Sequence, residues 1–239
     1  SLYLIKKKSV ETILGTTHPS TQVIEPGEMI KGFPSEVVKR DFFFSDLLLL
    51  VEGLTDRIIL NKIIDVLNLQ PLSNSYIGYI QYASKDLDKT LEIVREISKL
   101  MDIPVFMIAD GDQQGKEYVK KAMRKGFEEN NEIFVLEDED IFFVAGEEVL
   151  NAAIANLRQE EDLKEVIKVP EKIPIIKKKT DLENLLDELV DEKSMKKNLK
   201  IRLALEIAKK IEYEKKAVKP YLKNILTAIN DRIKEVIMG

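Results

Sequence analysis

The chain has 239 residues, of which 44% are hydrophobic, enough for one large domain or two small ones. It contains no cysteine and one histidine, His18, which excludes disulfide frameworks and metal sites built on thiolates or histidine clusters. Any bound metal must therefore be held mainly by carboxylates, the ligands of hard cations such as Mg²⁺, Mn²⁺ and Ca²⁺. The sequence has no signal peptide and no apolar run of membrane-spanning length, so we expect a cytoplasmic protein with no membrane partner.

The formal net charge of −5 is distributed unevenly along the chain. Residues 164–239 contain 19 Lys and Arg against 13 Asp and Glu, whereas residues 1–163 contain 18 against 29. An acidic metal site beside a phosphate-binding surface would give this distribution. Two differently solvated surfaces would give it as well, and charge alone favours that simpler interpretation.

Strands and helices alternate through the first part of the chain. Residues 1–40 contain short alternating segments interrupted by Pro26 and Gly27, typical of a connector. Apolar runs then predict strands at 46–53, 76–82, 103–112 and 132–140, and helical spacing predicts helices at 54–69, 87–101 and 116–127. Since the main strands are continuously apolar, we predict an α/β fold: a mostly parallel, Rossmann-like sheet with helices on both faces.

After residue 146 the sequence pattern is helical only. Helices are predicted at 147–168, 181–195, 199–214 and 217–238, with Pro170 and Pro174 between the first two and Pro220 near the start of the last. The prediction is therefore a sheet domain followed by a C-terminal helical region.

Carboxylates follow three of the predicted strands at the point where each ends. Glu52 follows the first strand, Asp110 and Asp112 follow the third, and the acidic run 137–140 follows the last. Ligands bind at the carboxyl ends of the strands in open parallel sheets, so these acids are expected to converge. Converged carboxylates repel one another, so such a cluster needs a cation. The sequence predicts a site for one or two divalent metal ions.

Local turns and helix caps offer a simpler explanation for each motif. Gly53 permits a tight turn, and Asp56 stands where an acid would cap the next helix. The Asp-Gly pair at 110–111 is common in turns. Two acidic motifs, each directly after an apolar strand, favour the metal site over both alternatives.

These two motifs resemble the Toprim domain, which topoisomerases, DnaG-type primases, RecR-type repair proteins and OLD (overcoming lysogenization defect) family nucleases share. The resemblance rests on the Glu-Gly pair at 52–53 with Asp56, and on the Asp-Gly-Asp segment at 110–112. It covers about residues 42–145. It implies a Toprim-type fold and chemistry on nucleic-acid phosphodiesters.

Within that group the chain is most similar to the C-terminal region of OLD proteins. Segments 42–60, 76–87 and 103–112 carry this resemblance, together with the late helix that contains Lys200. It implies a two-metal nuclease preceded by an ABC-type ATPase. The expected organisation is a connector from that ATPase at 1–40, a Toprim catalytic domain at 41–145 and a helical region at 146–239 that completes the active site. Segment 111–116 lacks Walker A spacing, so no ATPase motif is present in this chain.

The resemblance implies an endonuclease or exonuclease that cleaves DNA, with RNA left open, in DNA repair or phage defence. The cofactors would be two Mg²⁺ or Mn²⁺ ions, none held by Cys or His, and a homodimer is expected. The third acid could be any residue of 137–140, and solvated helix or loop lysines would explain the basic residues equally well. The candidate catalytic residues are Glu52, Asp110, Asp112 and Lys200; the metal ligands are Glu52, Asp56, Asp110, Asp112, Glu137 and Asp140; the nucleic-acid contacts are Lys177, Lys178, Lys179 and Lys197.

Other classes of protein would use the same acids differently. A topoisomerase would need a nucleophilic tyrosine beside them, and a primase would need nucleotide binding and usually a zinc ribbon, which a chain without cysteine cannot supply. A RecR-type scaffold would use the domain for protein contacts with a degenerate site. A phosphoacceptor or flavodoxin-like domain would lack DNA affinity.

Overall fold

The computed structural model describes residues 4–11, 17–24, 45–82, 87–157, 175–190, 192–213 and 218–238. In the predicted connector, β1 (Leu4–Glu11) and β2 (Thr17–Ile24) pair as an antiparallel hairpin. The remainder of 1–40, and residues 158–168 of the predicted helix 147–168, lie outside the described residues.

A four-stranded parallel sheet forms the centre of the fold, as predicted. Its strands are β3 (Leu47–Val51), β4 (Ile77–Gln81), β5 (Val105–Ala109) and β6 (Ile133–Val135). They lie in the order β4-β3-β5-β6, and every neighbouring pair is parallel. All residues of the two inner strands, β3 and β5, are buried, which explains why their sequences are continuously apolar.

Helices cover both faces of the sheet. The described residues form α1 (Leu54–Leu67), α2 (Leu87–Met101), α3 (Gln113–Arg124), α4 (Glu147–Leu157), α5 (Lys179–Leu189), α6 (Lys193–Tyr213) and α7 (Pro220–Met238). The residues of β3 alternate between two cores. Leu47 and Leu49 pack with α1 and the C-terminal helices, and Leu48 and Leu50 pack with α2 and α3. None of the described helices is long and apolar enough to cross a membrane.

The C-terminal helices share one hydrophobic core with the sheet. Helix α6 packs against α1 and α4, and the same buried cluster runs from β3 to α7. The predicted helix 181–195 is wrong in its extent, because the helix ends at Leu189 and Val190 is extended (φ −144°, ψ 136°). Val190 and Leu189 are both buried. No glycine or proline marks this helix end in the sequence.

The strand order creates a crevice at the carboxyl ends of β3 and β5. From β3 the chain passes through α1 to β4 on one side, and later reaches β5 on the other side of β3. Open α/β sheets bind ligands where the strand order reverses in this way. Glu52 and Asp110, which directly follow these two strands, stand at that point.

Substitution of Asn230 tests how the last helix, α7, is fixed to the sheet domain. Its side chain is 3% exposed, and its Oδ1 accepts a hydrogen bond from the backbone N–H of Leu72 at 3.0 Å. Asn230→Ala leaves that buried N–H without a partner, so we expect the free energy of unfolding to fall by about 1–3 kcal/mol in urea denaturation. The neighbouring Asp231→Asn, on the exposed face, should change it by less than about 0.5 kcal/mol. Equal effects of the two variants would contradict this role.

Candidate metal centre

The turn after β3 places Glu52 and Asp56 in the crevice. Gly53 is the N-cap of α1, and its N–H donates to Asp56 Oδ2 at 3.0 Å. Asp56 is only 6% exposed. Asp56 therefore caps the helix and also faces the crevice, so a role as a helix cap and a role as a metal ligand are compatible. Gly53 itself is extended (φ −153°, ψ −170°), a conformation open to any residue, so the tight turn expected there is not what requires glycine.

The segment after β5 supplies Asp110 and Asp112. Asp110 is buried, and Asp112 caps α3 by accepting a hydrogen bond from the N–H of Gly115 at 2.7 Å. Gly111 donates its N–H to the carbonyl of Asp138 at 2.9 Å. A β-carbon at Gly111 would lie 2.5 Å from the carbonyl oxygen of Leu136. The backbone at Gly111 therefore passes too close to the segment that follows β6, which we call the β6 exit (residues 136–140), to carry a side chain.

Asp140 is the acid that the β6 exit brings to the crevice. It is 7% exposed and accepts a hydrogen bond from the N–H of Phe142 at 3.1 Å. Glu137, also a predicted ligand, is exposed, as is Glu139. Asp138 instead pairs with residues that border α7: Lys219 Nζ at 2.5 Å and the Tyr221 hydroxyl, which donates at 2.8 Å. These contacts fix the segment that presents Asp140.

Glu52, Asp56, Asp110, Asp112 and Asp140 together form what we call the acidic centre. Burial, together with the charges of neighbouring carboxylates, raises the pKa of Asp110 to about 9 and that of Asp56 to about 7. Burial also raises the pKa of Glu52 and of Asp140. Burial acts in the same direction on Asp112, but hydrogen bonds from Gly115 and Lys179 outweigh it and lower its pKa. Ionisation is therefore unfavourable for four of the five carboxyl groups of the acidic centre, all except Asp112.

Lys179, at the start of α5, reaches into the acidic centre. Its Nζ lies 2.7 Å from Asp112 Oδ2, 3.8 Å from Asp110 Oδ2 and 3.8 Å from Asp140 Oδ2. The sequence pattern predicted that this lysine contacts nucleic-acid phosphates together with Lys177 and Lys178. The other two lysines are exposed. The place of Lys179 among the carboxylates has no local signal, because it lies 67 residues from Asp112 in the sequence.

Lys200 borders the acidic centre from α6. Its charge lowers the pKa of Asp140, and its Nζ lies 2.5 Å from Glu183 Oε1. Lys196 contacts the same carboxylate at 2.7 Å. Lys197 is exposed on the same helix. The structure thus brings Lys200 near the predicted acids and leaves Lys197 at the surface.

The donor set of the acidic centre fits a hard divalent cation. Two of its oxygens, Glu52 Oε2 and Asp110 Oδ1, are buried and accept no hydrogen bond from a backbone N–H or from a basic side chain, and the two carboxyl groups hydrogen-bond to each other through a shared proton. A bound cation would provide a partner for both oxygens. In the parts of the chain that the structure describes, no group of three or more His, Cys, Asp or Glu side chains is already arranged around a metal position. The ammonium of Lys179 lies among the carboxylates instead.

A family comparison identifies the domain that holds these residues. Residues 43–112 match the family model described as "Overcoming lysogenization defect protein-like, TOPRIM domain". This part of the chain is similar to an OLD-like Toprim domain. The matched segment runs through β3, α1, β4, α2 and β5 to Asp112, and so includes four acids of the centre. No curated protein matches the chain.

Two solved C-terminal regions of OLD proteins are similar to about four fifths of this chain. The C-terminal region of the Xanthomonas campestris pv. campestris OLD protein is 18% identical, with a TM-score of 0.49, over 81% of this chain and 96% of that one. The C-terminal region of the Burkholderia pseudomallei OLD protein is 13% identical, with a TM-score of 0.49, over 80% of this chain and 99% of that one.

Two glycines of the Toprim motifs should differ in their tolerance of alanine. Gly111→Ala places a methyl group 2.5 Å and 2.8 Å from two backbone carbonyl oxygens, which cannot move without shifting the β6 exit. We expect a loss of about 1–3 kcal/mol in unfolding free energy, measured by urea denaturation. Gly53→Ala is the matched control, since its β-carbon would meet nothing closer than 3.7 Å. A Gly53→Ala variant as unstable as Gly111→Ala would contradict this account.

The raised pKa values predict how the stability of the metal-free Toprim domain depends on pH. The folded-state pKa values of Asp110 (about 9) and Asp56 (about 7) exceed the ordinary value of 3.8. Their contribution is fully present below about pH 4 and is lost as the pH rises through 7 and 9. Asp110→Asn cannot ionise, so in EDTA its thermal midpoint should exceed that of the wild type increasingly between pH 5 and pH 9.

An exposed carboxylate gives the control for that titration. Asp65 lies on the solvent side of α1, and Asp65→Asn should follow the wild-type stability curve at every pH. A constant difference between Asp110→Asn and the wild type from pH 5 to pH 9 would show that Asp110 has an ordinary pKa.

Proposed function

We propose that this chain is the nuclease part of an OLD-like ATP-dependent nuclease, cleaving DNA phosphodiesters with two Mg²⁺ or Mn²⁺ ions. RNA is the alternative substrate. The OLD-like Toprim match at residues 43–112 supports the choice of family. The convergence of buried acids from three parallel strands supports a metal-dependent reaction.

The buried oxygens of Glu52 and Asp110 are the observation that carries the proposal, because only a proton shared between the two carboxyl groups gives them a hydrogen-bond partner. A protein that used these acids only for structure would place N–H or O–H donors against the buried oxygens, because a poorly paired buried polar atom costs about 1–3 kcal/mol. Burial of so many carboxylates is equally costly unless a cation neutralises them. A cation site explains both features.

Each acid has a place in the proposed metal set. Glu52 and Asp56 would hold one ion, Asp110 would bridge, and Asp112 and Asp140 would hold the second. The bound ions would supply activation of water and neutralisation of charge on the leaving oxygen. Glu137 is not needed in this set, because the β6 exit presents Asp140 to the centre instead.

Basic residues of the helical region would hold the phosphodiester. Lys200 borders Asp140 and would stabilise charge that develops on the phosphate. Lys177 and Lys178 are exposed next to Lys179, and Lys197 lies one helical turn from Lys200. These exposed ammonium groups are placed to contact the nucleic-acid backbone on either side.

The remaining proposals concern the whole protein. An ABC-type ATPase would precede this chain, residues 1–40 would connect to it, residues 41–145 would form the catalytic domain and residues 146–239 would complete the site. The protein would act as a homodimer in the cytoplasm, in DNA repair or phage defence. The contact of Lys179 with Asp112 supports a contribution of the helical region to the site.

The environment of Tyr82 speaks against a topoisomerase mechanism. Burial raises its pKa, and the charges of Asp56 and Glu52 raise it further, so it lies close to the acids. Its side chain is 0% exposed, and its hydroxyl donates to the carbonyl of Ile108 at 3.1 Å. A nucleophile must reach the phosphate and lose its proton, and Tyr82 is prevented from doing either.

A non-catalytic Toprim scaffold is the second candidate, and the position of Lys179 favours it. An ammonium that stays permanently among Asp110, Asp112 and Asp140 would occupy the place of a metal ion in a folded, non-catalytic domain. Calorimetric titration with Mg²⁺ and Mn²⁺ separates the two functions. A scaffold would show no specific binding, whereas a nuclease would bind the ions and lose binding in Asp110→Ala.

Cleavage of supercoiled plasmid tests the nuclease directly. With Mg²⁺ or Mn²⁺ the wild type should nick or linearise DNA, and with Ca²⁺ or EDTA it should not. Asp110→Ala should reduce the rate on the order of 100-fold or more, because it removes the bridging ligand from the centre of the acids. The change is measured by agarose-gel densitometry over time, with circular dichroism to verify the fold.

The exposed variant Asp65→Asn is the matched control for cleavage, since it removes the same charge far from the crevice. Cleavage by Asp110→Ala at the wild-type rate would refute the assignment. Absence of cleavage in the wild type, together with absence of metal binding, would favour the scaffold.

A further inference from the structure

Lys179 contacts carboxylates from separate elements that meet in the crevice. Its Nζ lies 2.7 Å from Asp112 at the start of α3, 3.8 Å from Asp110 after β5 and 3.8 Å from Asp140 after β6. It also donates to the carbonyl of Glu139 at 3.4 Å. One ammonium group thus holds together acids that would otherwise repel one another.

The backbone that carries Lys179 is fixed on both sides. Ile176 is 0% exposed and exchanges two hydrogen bonds with the side chain of Asn151, at 3.1 Å and 3.2 Å. The N–H groups of Lys177 and Lys178 donate to Asp181 Oδ2 at 3.1 Å and 3.2 Å. Since the backbone is held, any movement of the ammonium must come from rotation of the lysine side chain.

That rotation is open to the Lys179 side chain. It is 25% exposed, and its closest partner, Asp112, is 21% exposed. The ammonium is therefore at the mouth of the crevice rather than sealed inside it. Asp110, by contrast, has a side chain that is 6% exposed.

One positive charge does not neutralise the acidic centre. Glu52 Oε2 and Asp110 Oδ1 receive no hydrogen bond from Lys179, although the ammonium is only 3.8 Å from the other oxygen of Asp110. A divalent ion carries twice the charge and accepts several oxygen ligands, so it would satisfy the centre better. It could not bind beside Lys179 without strong repulsion at such a distance.

We propose that Lys179 is an internal counter-ion of the acidic centre, which assembles the carboxylates before metal binding and is displaced when a divalent ion enters. The inference rests on the proposed metal-dependent function. It makes Lys179 a competitor of the metal ion and a positioning residue for its ligands. Replacing it should therefore tighten metal binding, the opposite of what loss of a structural contact would do.

Isothermal titration calorimetry of the 239-residue chain with Mn²⁺ provides the test. Lys179→Met should lower the dissociation constant at least about tenfold, because a like charge near the ion is removed. Lys178→Met is the matched control: it deletes the same charge at the adjacent, exposed position and should leave the constant within about twofold. Lys179→Arg keeps the charge and should bind Mn²⁺ no more tightly than the wild type.

Thermal stability gives a second readout. In EDTA, Lys179→Met should melt below the wild type because the carboxylates lose their counter-ion, and saturating Mn²⁺ should remove or reverse that difference. A variant destabilised equally with and without Mn²⁺ would show that Lys179 is only a structural contact, and would overturn the inference.

A measurement on the wild type covers the case in which Lys179→Met does not fold. The ¹⁵N resonance of the Lys179 ammonium, assigned with Lys179→Arg, should be protected from solvent exchange without metal and should become that of a solvated lysine with Mg²⁺. Persistence of the protected signal in saturating Mg²⁺ would overturn the inference.

The outcomes separate the two proposals. If the wild type binds Mn²⁺ and Lys179→Met binds it equally or more weakly, the counter-ion role is wrong while the metal site stands. If neither protein binds Mn²⁺ or Mg²⁺, the metal site is wrong and the counter-ion role is wrong with it.

Discussion

Carboxylates that end three parallel strands meet in a largely buried crevice, so ionising any one of them raises the cost of ionising the others. The structure meets this cost in three ways. Burial and the neighbouring charges raise the pKa of Asp110 to about 9, Asp112 accepts hydrogen bonds from Gly115 and Lys179, and the ammonium of Lys179 lies among the oxygens. Each of these is what a cluster of acids needs in the absence of a divalent cation.

The helices around the crevice contribute to the same balance. Helices α1 and α3 both begin at the carboxyl edge of the sheet, directly after Glu52 and Asp110. The positive ends of their dipoles therefore point at the acidic centre. Asp56 accepts the N–H of Gly53, the N-cap residue of α1, and Asp112 accepts the N–H of Gly115 in the first turn of α3. The strand–helix connections that define the fold are thus also the connections that make the site possible.

Local patterns in the sequence were sufficient for the fold and for most of the acids. Glu52, Asp110 and Asp112 directly follow apolar strands, so their position depends only on where each strand ends. The choice of Asp140 among four consecutive acids depends on the contacts of Asp138 with Lys219 and Tyr221, which are 81 and 83 residues away in the sequence. Such partners are invisible to any local pattern.

The helical region was the harder part to predict. Lys179 resembles its neighbours in sequence, and only tertiary packing shows that it alone contacts the acids while Lys177 and Lys178 are exposed. The break after Leu189 has no glycine or proline to mark it. The position of Lys179 arises from packing between distant segments, which periodicity does not report.

The paired register of β3 and β5 has a consequence for how such a protein can diverge. Leu48 is paired with Val105 and Leu50 with Met107, so the two strands leave the sheet side by side and deliver Glu52 and Asp110 to one place. An inserted residue in either strand would turn its acid to the opposite face of the sheet. Exposed loops have no strand register to preserve, and loop length costs little free energy. Insertions and deletions should therefore accumulate in the loops of related chains, while the spacing between strand ends and their acids stays constant.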